Sequence, residues 1–139
     1  MAWRWEERHC RWAQAQRNDA ASQARWETLA LTLAVFAWKD ILLPAGGEWN
    51  LLGDALGVLQ ATTKFRSKDS AVNLLCMELA LVSVDSGREL HAEHLWSERN
   101  KLADDLSRLH EGASLPTLLK DVPQRYLVEP QWKIISSVT

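Results

Sequence analysis

Residues 93–108 read Glu-His-Leu-Trp-Ser-Glu-Arg-Asn-Lys-Leu-Ala-Asp-Asp-Leu-Ser-Arg, and this stretch decides the fold. A short strand-like run ends in His94, a polar loop follows, and Asn100 comes shortly before an Ala-Asp pair that opens a helix. An acidic residue in the first turn of a helix faces the positive end of the helix dipole. A carboxylate just past a strand is also well placed to hold a metal ion. Taken alone, the stretch equally suits a capped amphipathic helix with two surface acids.

The strongest helical period lies upstream of this stretch. Asp19 or Ser22 can cap a long helix that is predicted over about residues 20–42, and Pro44 with the glycine pair after it is expected to stop the helix. Apolar residues at helical spacing form its inward stripe. They are Trp26, Leu29, Ala30, Leu33, Ala37 and Ile41.

Between these two stretches, strand-like and helical segments alternate. Residues 48–52 predict a buried strand with Asp54 at its carboxyl end, and a short helix follows over about residues 55–62. A second long helix begins at Asp69 or Ser70 and ends at Gly87. Its inward stripe consists of Val72, Leu75, Cys76, Leu79 and Ser83.

The final elements are a strand over residues 88–95 and a helix over residues 101–111, with Gly112 as its stop. The order is therefore helix, strand, helix, helix, strand, helix. Strands that alternate with helices predict an α/β fold with parallel strand pairing.

Composition bounds the class of protein. The chain has 139 residues and a net charge of −2, which suits one domain or part of one and lacks the basic signature of a tight duplex binder. Cys10 and Cys76 lie far apart and form no CxxC motif, so neither a disulfide framework nor a zinc site is expected. The longest apolar run, Leu29–Trp38, is too short to span a bilayer, and the N-terminus lacks the hydrophobic segment of a secretory signal. We expect an intracellular protein of the cytoplasm or nucleus with no membrane partner.

The order of residues 93–108 resembles the last part of the ribonuclease H domain of retrotransposon polyproteins. That family's consensus runs His, a short Gly-containing loop, Asn, two residues, Ala-Asp, one residue, Leu-Ser-Arg. The specific part is Asn100 to Arg108, whereas Trp96-Ser97-Glu98-Arg99 replaces the usual Pro-Gly turn. The resemblance extends over residues 20–111 through two further segments, which are Gln23-Ala24-Arg25-Trp26-Glu27 and Gly53-Asp54-Ala55-Leu56-Gly57-Val58-Leu59.

The resemblance implies a set of catalytic residues. Glu27, Asp54 and Asp104 would supply carboxylates for magnesium, or manganese in its place, because hard oxygen ligands suit such ions. His94 matches the family's His before the loop, with an implied role in loop positioning or product release; a strand-end His without chemistry is the alternative. The implied reaction is hydrolysis of the RNA strand of RNA–DNA hybrids. The implied partner is a reverse transcriptase domain in the same polyprotein.

Nucleic-acid contacts are expected from one compact basic loop, Thr63–Lys68. Its cations would contact phosphates, and the alternative is a solvated connector. Gln23, one helical turn before Glu27, can reach the same face and a ribose or base edge. The complete predicted contact set is Gln23, Lys64, Arg66, Lys68 and Arg99.

The front of the chain departs from the family, whose first strand carries the first catalytic Asp. No Asp-bearing strand of that kind precedes Glu27. The predicted fold is therefore α/β and ribonuclease H-like, with an incomplete mixed sheet flanked by helices and its first strands missing or reduced. Residues 1–18 would be an N-terminal remnant, 19–112 the partial domain and 113–139 a tail or connector.

Two functions follow from this departure. The first is a metal-dependent hydrolase of RNA–DNA hybrids that is impaired by the loss of one catalytic Asp. The second is a catalytically inactive ribonuclease H-like remnant that serves as a nucleic-acid-binding or structural module. In residues 1–18, Arg side chains interleaved with Trp suit either contacts to a nucleic-acid backbone or an amphipathic segment packed on the domain.

Overall fold

The computed structural model describes residues 6–45, 48–112, 114–122 and 129–135. Short 3-10 turns occur at Ala20–Ser22, Ser97–Arg99, Leu109–Glu111 and Thr117–Leu119. The helices and strands are α1 (Glu7–Ala13), α2 (Gln23–Ala45), β1 (Trp49–Gly53), α3 (Leu56–Lys64), α4 (Ser70–Ser86), β2 (Leu90–His94) and α5 (Lys101–Ser107). The predicted order from α2 to α5 is confirmed, and α1 precedes it.

The sheet within the described ranges consists of β1 and β2, which pair in parallel. Trp49 lies opposite Leu90, and Gly53 lies opposite His94. Two parallel neighbours need a crossover connection, which α3 and α4 supply here. The α/β class and the parallel pairing are thus confirmed, while the described ranges contain no antiparallel strand of the expected mixed sheet.

The core lies where α2 packs against α4. Leu29, Leu33 and Leu75 are fully buried there and form one cluster with Ala13 and Ile135. Burying a side chain of this size contributes about 1.5–3 kcal/mol. A second cluster joins these helices to the sheet through Val35, Trp49, Leu79 and Leu90. Within the described ranges, no helix has the length and hydropathy needed to cross a bilayer.

The predicted stripe of α2 is partly wrong. Leu29, Leu33 and Ala37 are buried as expected, but the side chain of Ile41 is 55% exposed. Thr28 and Thr32 are buried instead, because their hydroxyls donate to the carbonyl four residues earlier, at 2.7 Å in each case.

The observed helix ends agree with their predicted positions better than the buried face of α2 agrees with its predicted apolar stripe. The Asp69 carboxylate accepts from the Val72 N–H at 2.9 Å and caps α4, and Gly87 ends that helix with a left-handed φ of 65°. Both boundaries were predicted. α2 ends at Ala45, between Pro44 and the predicted glycine pair, so the predicted stop agrees to within about three residues. A proline in the last turn removes only one helical hydrogen bond. The glycine pair after it lies outside the described residues.

The last predicted helix is shorter than expected. α5 ends at Ser107, and a 3-10 turn over Leu109–Glu111 follows before Gly112 takes a left-handed φ of 87°. Gly112 therefore ends the segment as predicted. The helical segment in front of it breaks into two pieces.

Both described ends of the chain lie on the core. Trp132 packs edge-to-face on Trp12 of α1 and on Phe36 of α2, with ring centroids 5.4 and 5.2 Å apart. Ile135 is buried in the α2–α4 cluster. The aromatic side of α1 thus packs on the domain, while the alternative strand at Trp3–Trp5 lies outside the described residues. Trp132 and Ile135, which lie in the predicted tail or connector, thus pack on the core.

A buried acid holds this C-terminal segment. Glu78 of α4 is 1% exposed, and its carboxylate accepts the backbone N–H groups of Lys133, Ile134 and Ile135 at 3.1, 2.6 and 2.9 Å. A buried carboxylate is costly unless such bonds compensate it. The sequence gives no sign of this role, because the donors lie more than fifty residues away.

We expect Glu78→Gln to destabilise the fold by about 1–3 kcal/mol, because an amide places N–H groups where the backbone already donates. Urea unfolding followed by tryptophan fluorescence measures the change. The matched control is Glu98→Gln, since Glu98 is exposed. Equal unfolding midpoints for the two variants would show that the three backbone bonds contribute nothing.

An ion pair joins the first turn of α2 to the cap of α4. Arg25 Nε and Nη2 donate to Asp69 Oδ2 at 3.2 and 3.0 Å, and Arg25 Nη1 donates to the Gln14 carbonyl. Burial by itself raises the pKa of Asp69, but the Val72 N–H and the Arg25 side chain outweigh it, so the pKa lies below the ordinary 3.8. The stability that this lowered pKa contributes is fully present above the unfolded-state pKa and is lost as the pH falls through the folded-state pKa.

We expect Asp69→Asn to cost no more than about 1 kcal/mol near neutral pH, because asparagine caps a helix well and the pair is partly solvated. The gap in unfolding free energy between wild type and variant should narrow as the pH falls from about 5 through the folded-state pKa of Asp69, which lies below its ordinary value of 3.8. Urea unfolding across that range measures it, with Asp121→Asn as the exposed control. A gap that stays constant with pH would contradict the lowered pKa.

Candidate functional site

The carboxyl ends of the two strands bring two predicted site residues together. Asp54 follows β1 directly and is exposed, and His94 is the last residue of β2. The Leu95 N–H donates to the Gly53 carbonyl at 2.7 Å, which extends the pairing to this edge. His94 Nε2 lies 3.2 Å from the Asp54 backbone carbonyl oxygen. Ligands of open α/β sheets gather at the carboxyl ends of strands, so this edge is the natural candidate site.

His94 is held from two sides. When Nε2 carries a proton it donates to the Asp54 carbonyl, and the imidazole packs edge-to-face on Trp96 with ring centroids 4.8 Å apart. The side chain therefore links the end of β2 to the loop after β1. This arrangement suits a residue that positions the Asp54 loop.

Glu27 lies early in α2 and is half-buried. Gln23 Nε2 donates to Glu27 Oε1 at 2.8 Å, so these side chains share a helical face as predicted. One carboxylate oxygen of Glu27 is thus already occupied by an amide.

Asp104 lies in the first turn of α5 and is exposed. No residue of α5 is buried. Its neighbour Asp105, which the motif makes the less favoured metal ligand, accepts hydrogen bonds from Lys101 Nζ at 3.3 Å. The position of Asp104 in the helix agrees with the sequence analysis.

The side chains that lie close enough together to bind one metal ion are not the predicted catalytic acids. Across the described ranges, the group of three metal-binding side chains whose ligand atoms all lie within 4.8 Å consists of Glu48, Glu89 and His91. Glu27, Asp54 and Asp104 do not form such a group. Oxygen ligands of one magnesium ion lie at most about 4.2 Å apart, because each is about 2.1 Å from the metal. The donor chemistry of the three acids suits magnesium, and because their ligand atoms do not all lie within 4.8 Å of one another, they do not share a single ion. The predicted site holds a pair of magnesium ions, and that assignment stays a prediction.

Sequence reasoning missed the group of Glu48, Glu89 and His91, which we call the amino-end group. A signal was present, since Glu48 and Glu89 each precede the first residue of a strand. Side chains two residues apart on a strand share a face, which places Glu89 with His91. Only the parallel register, however, brings Glu48 beside them.

The predicted phosphate contacts lie at the end of α3 and in the loop before α4. Lys64, Arg66 and Lys68 are all exposed, and no ion pair joins them to another described residue. Phe65 between them adopts a left-handed φ of 52° and caps α3. Arg99 is exposed in the 3-10 turn before α5. These cations are free to meet phosphate.

A surface groove lies apart from the predicted site. It runs between α2, α4 and the C-terminal segment, and its lining includes Phe36, Lys39, Val82 and Asp85. None of the predicted catalytic or nucleic-acid-binding residues lines it. Its mixed apolar and charged lining identifies no ligand.

Comparison of the chain with protein-family models, curated proteins and solved structures gives no match. The resemblance to ribonuclease H therefore depends on the motif residues of the sequence and on the order of the elements. Of the predicted site residues, Asp54 and His94 meet at one edge of the sheet, and Gln23 meets Glu27 on α2.

Proposed function

We propose that the chain is a ribonuclease H-like domain of a retroelement. It acts on the RNA strand of RNA–DNA hybrids. The residues that precede Glu27 in the sequence include no counterpart of the family's strand-borne catalytic Asp, which favours an impaired activity. The observation that carries the proposal is the contact between His94 and the Asp54 loop at the carboxyl edge of a parallel strand pair. The resemblance implies Asp and His at these strand ends, in this order along the chain. The reverse transcriptase domain of the same polyprotein is the proposed partner.

In this proposal Asp54 supplies negative charge, and His94 and Gln23 position the acidic residues. The exposed Asp54 carboxylate presents negative charge at the sheet edge, and His94 positions the loop that carries it. Gln23 orients the Glu27 carboxylate through their hydrogen bond. In hydrolysis of this class, bound divalent ions activate the attacking water and stabilise the leaving oxygen. Glu27, Asp54 and Asp104 do not lie close enough together to share a single ion.

A catalytically inactive remnant that binds nucleic acid is the second candidate. It is favoured because Glu27, Asp54 and Asp104 do not form a group whose ligand atoms all lie within 4.8 Å, and because the cations at the end of α3 and in the loop before α4 are exposed. In this case Lys64, Arg66, Lys68 and Arg99 supply phosphate contacts, and the acids have no catalytic role. Affinity without cleavage separates this candidate from the first.

The hydrolase predicts weak, magnesium-dependent cleavage of a labelled RNA–DNA hybrid by the whole chain. Asp54→Asn should lower the rate at least about tenfold, which corresponds to about 1.4 kcal/mol of activation free energy. Asp121→Asn is the matched control, because it removes an exposed acid outside the predicted site. Equal background rates for wild type and Asp54→Asn would contradict the hydrolase.

Both candidates predict that the chain binds the hybrid and that affinity falls as salt rises, since phosphate contacts release counterions. The double variant Lys64→Ala/Lys68→Ala should reduce the log–log salt slope by about one per lost phosphate contact. Fluorescence anisotropy with a labelled hybrid measures this slope, and exposed Lys120→Ala serves as control. Binding with no cleavage would leave the inactive remnant, and no binding at low salt would contradict both candidates.

A further inference from the structure

The amino ends of the two strands carry a set of side chains that the proposed function does not use. Trp49 and Leu90 begin β1 and β2, lie opposite each other and are buried in the core. Because side chains alternate along a strand, Glu89 and His91 lie on the opposite, outer face. Glu48 precedes Trp49 and reaches the same face, since its carboxylate contacts His91. The Trp49 N–H donates to the Glu89 carbonyl at 3.0 Å and fixes this alignment.

The three side chains converge on one point. His91 Nε2 lies 3.4 Å from Glu48 Oε2 and 3.3 Å from Glu89 Oε2, and all three ligand atoms lie within 4.8 Å of one another. Zinc binds imidazole nitrogen and carboxylate oxygen at about 2.0–2.2 Å in a tetrahedron, whose ligands are therefore about 3.4 Å apart. The two distances to His91 match that edge length.

We propose that Glu48, Glu89 and His91 form a binding site for a divalent ion of the zinc class, which joins the amino ends of β1 and β2. His91 binds through Nε2, each glutamate supplies one oxygen, and the fourth position faces solvent and takes water. The charges balance, because two carboxylates neutralise the ion beside a neutral imidazole. Mixed nitrogen and oxygen donors favour zinc over magnesium, whose ligands are oxygens.

This site is independent of the ribonuclease proposal. Four residue steps separate Trp49 from Gly53, so it lies about 13 Å from the carboxyl edge that holds Asp54. Two carboxylates on neighbouring strands repel each other, and a cation between them removes that cost. A bound ion would therefore stabilise the pairing of β1 with β2. The competing arrangement is a protonated His91 that bridges both glutamates without a metal.

Calorimetric titration of the whole chain with zinc chloride tests the proposal. We expect one site in wild type, and affinity at least tenfold weaker in Glu89→Gln and in His91→Asn. All three ligands are exposed, so these variants keep the core. Glu93→Gln is the matched control, because it removes one exposed acid from the same face of β2 and should change affinity less than twofold. No zinc binding by wild type, or equal affinity in the ligand variants, would overturn the proposal.

Histidine-ring NMR spectra of wild type locate the ion. Zinc should shift the Nε2 resonance of His91 and leave His94 at the other edge unchanged, and a tenfold excess of magnesium should not displace it. At one zinc concentration, zinc should also raise the melting temperature of wild type more than that of His91→Asn, since the weaker affinity of the variant gives less stabilisation. A shift confined to His9 or His94, or binding that is lost only in Cys10→Ser, would assign the ion elsewhere and overturn the proposal.

Discussion

The parallel pairing of β1 with β2 is the constraint on which the rest of the molecule depends. Its register places Trp49 and Leu90 together against Val35 of α2 and Leu79 of α4. A slip of one residue would turn these apolar side chains to solvent and carry charged ones into the core. Parallel strands also require a crossover, and this is why α3 and α4 lie between them in the chain. The sheet, the helices and the core are therefore fixed by one register.

The same pairing gives the sheet two chemically different edges. The carboxyl edge holds Asp54 and His94, which are joined by a ring-to-carbonyl contact. The amino edge holds Glu48, Glu89 and His91, whose ligand atoms lie together. The resemblance to ribonuclease H concerns the carboxyl end, whereas the cluster of metal-binding side chains found within the described residues lies at the amino end.

Local signals in the sequence predicted local structure well. Asp69 and Gly87 were predicted as the ends of α4, because a helix cap depends only on residues of the adjacent helical turn. Asp54 and His94 were predicted at strand ends, because the sequence pattern of each strand is local as well. The burial and contacts of side chains that depend on residues distant in sequence could not be predicted. Ile41 fits the helical period yet is exposed, and Glu78 is a buried acid because backbone N–H groups near the C-terminus surround it. For the same reason, the sequence could place Glu27 and Asp104 on helices but not in relation to Asp54.

The parallel register is the central claim, and backbone NOE measurements on the isotope-labelled chain test it most directly. The account predicts cross-strand contacts that link Leu51 with Ala92 and Gly53 with His94, in increasing order along both strands. Contacts that run in opposite order along the two strands would contradict the account, as would a register that pairs Asn50 with Leu90. Either result would remove both the Asp54–His94 edge and the amino-end group at once.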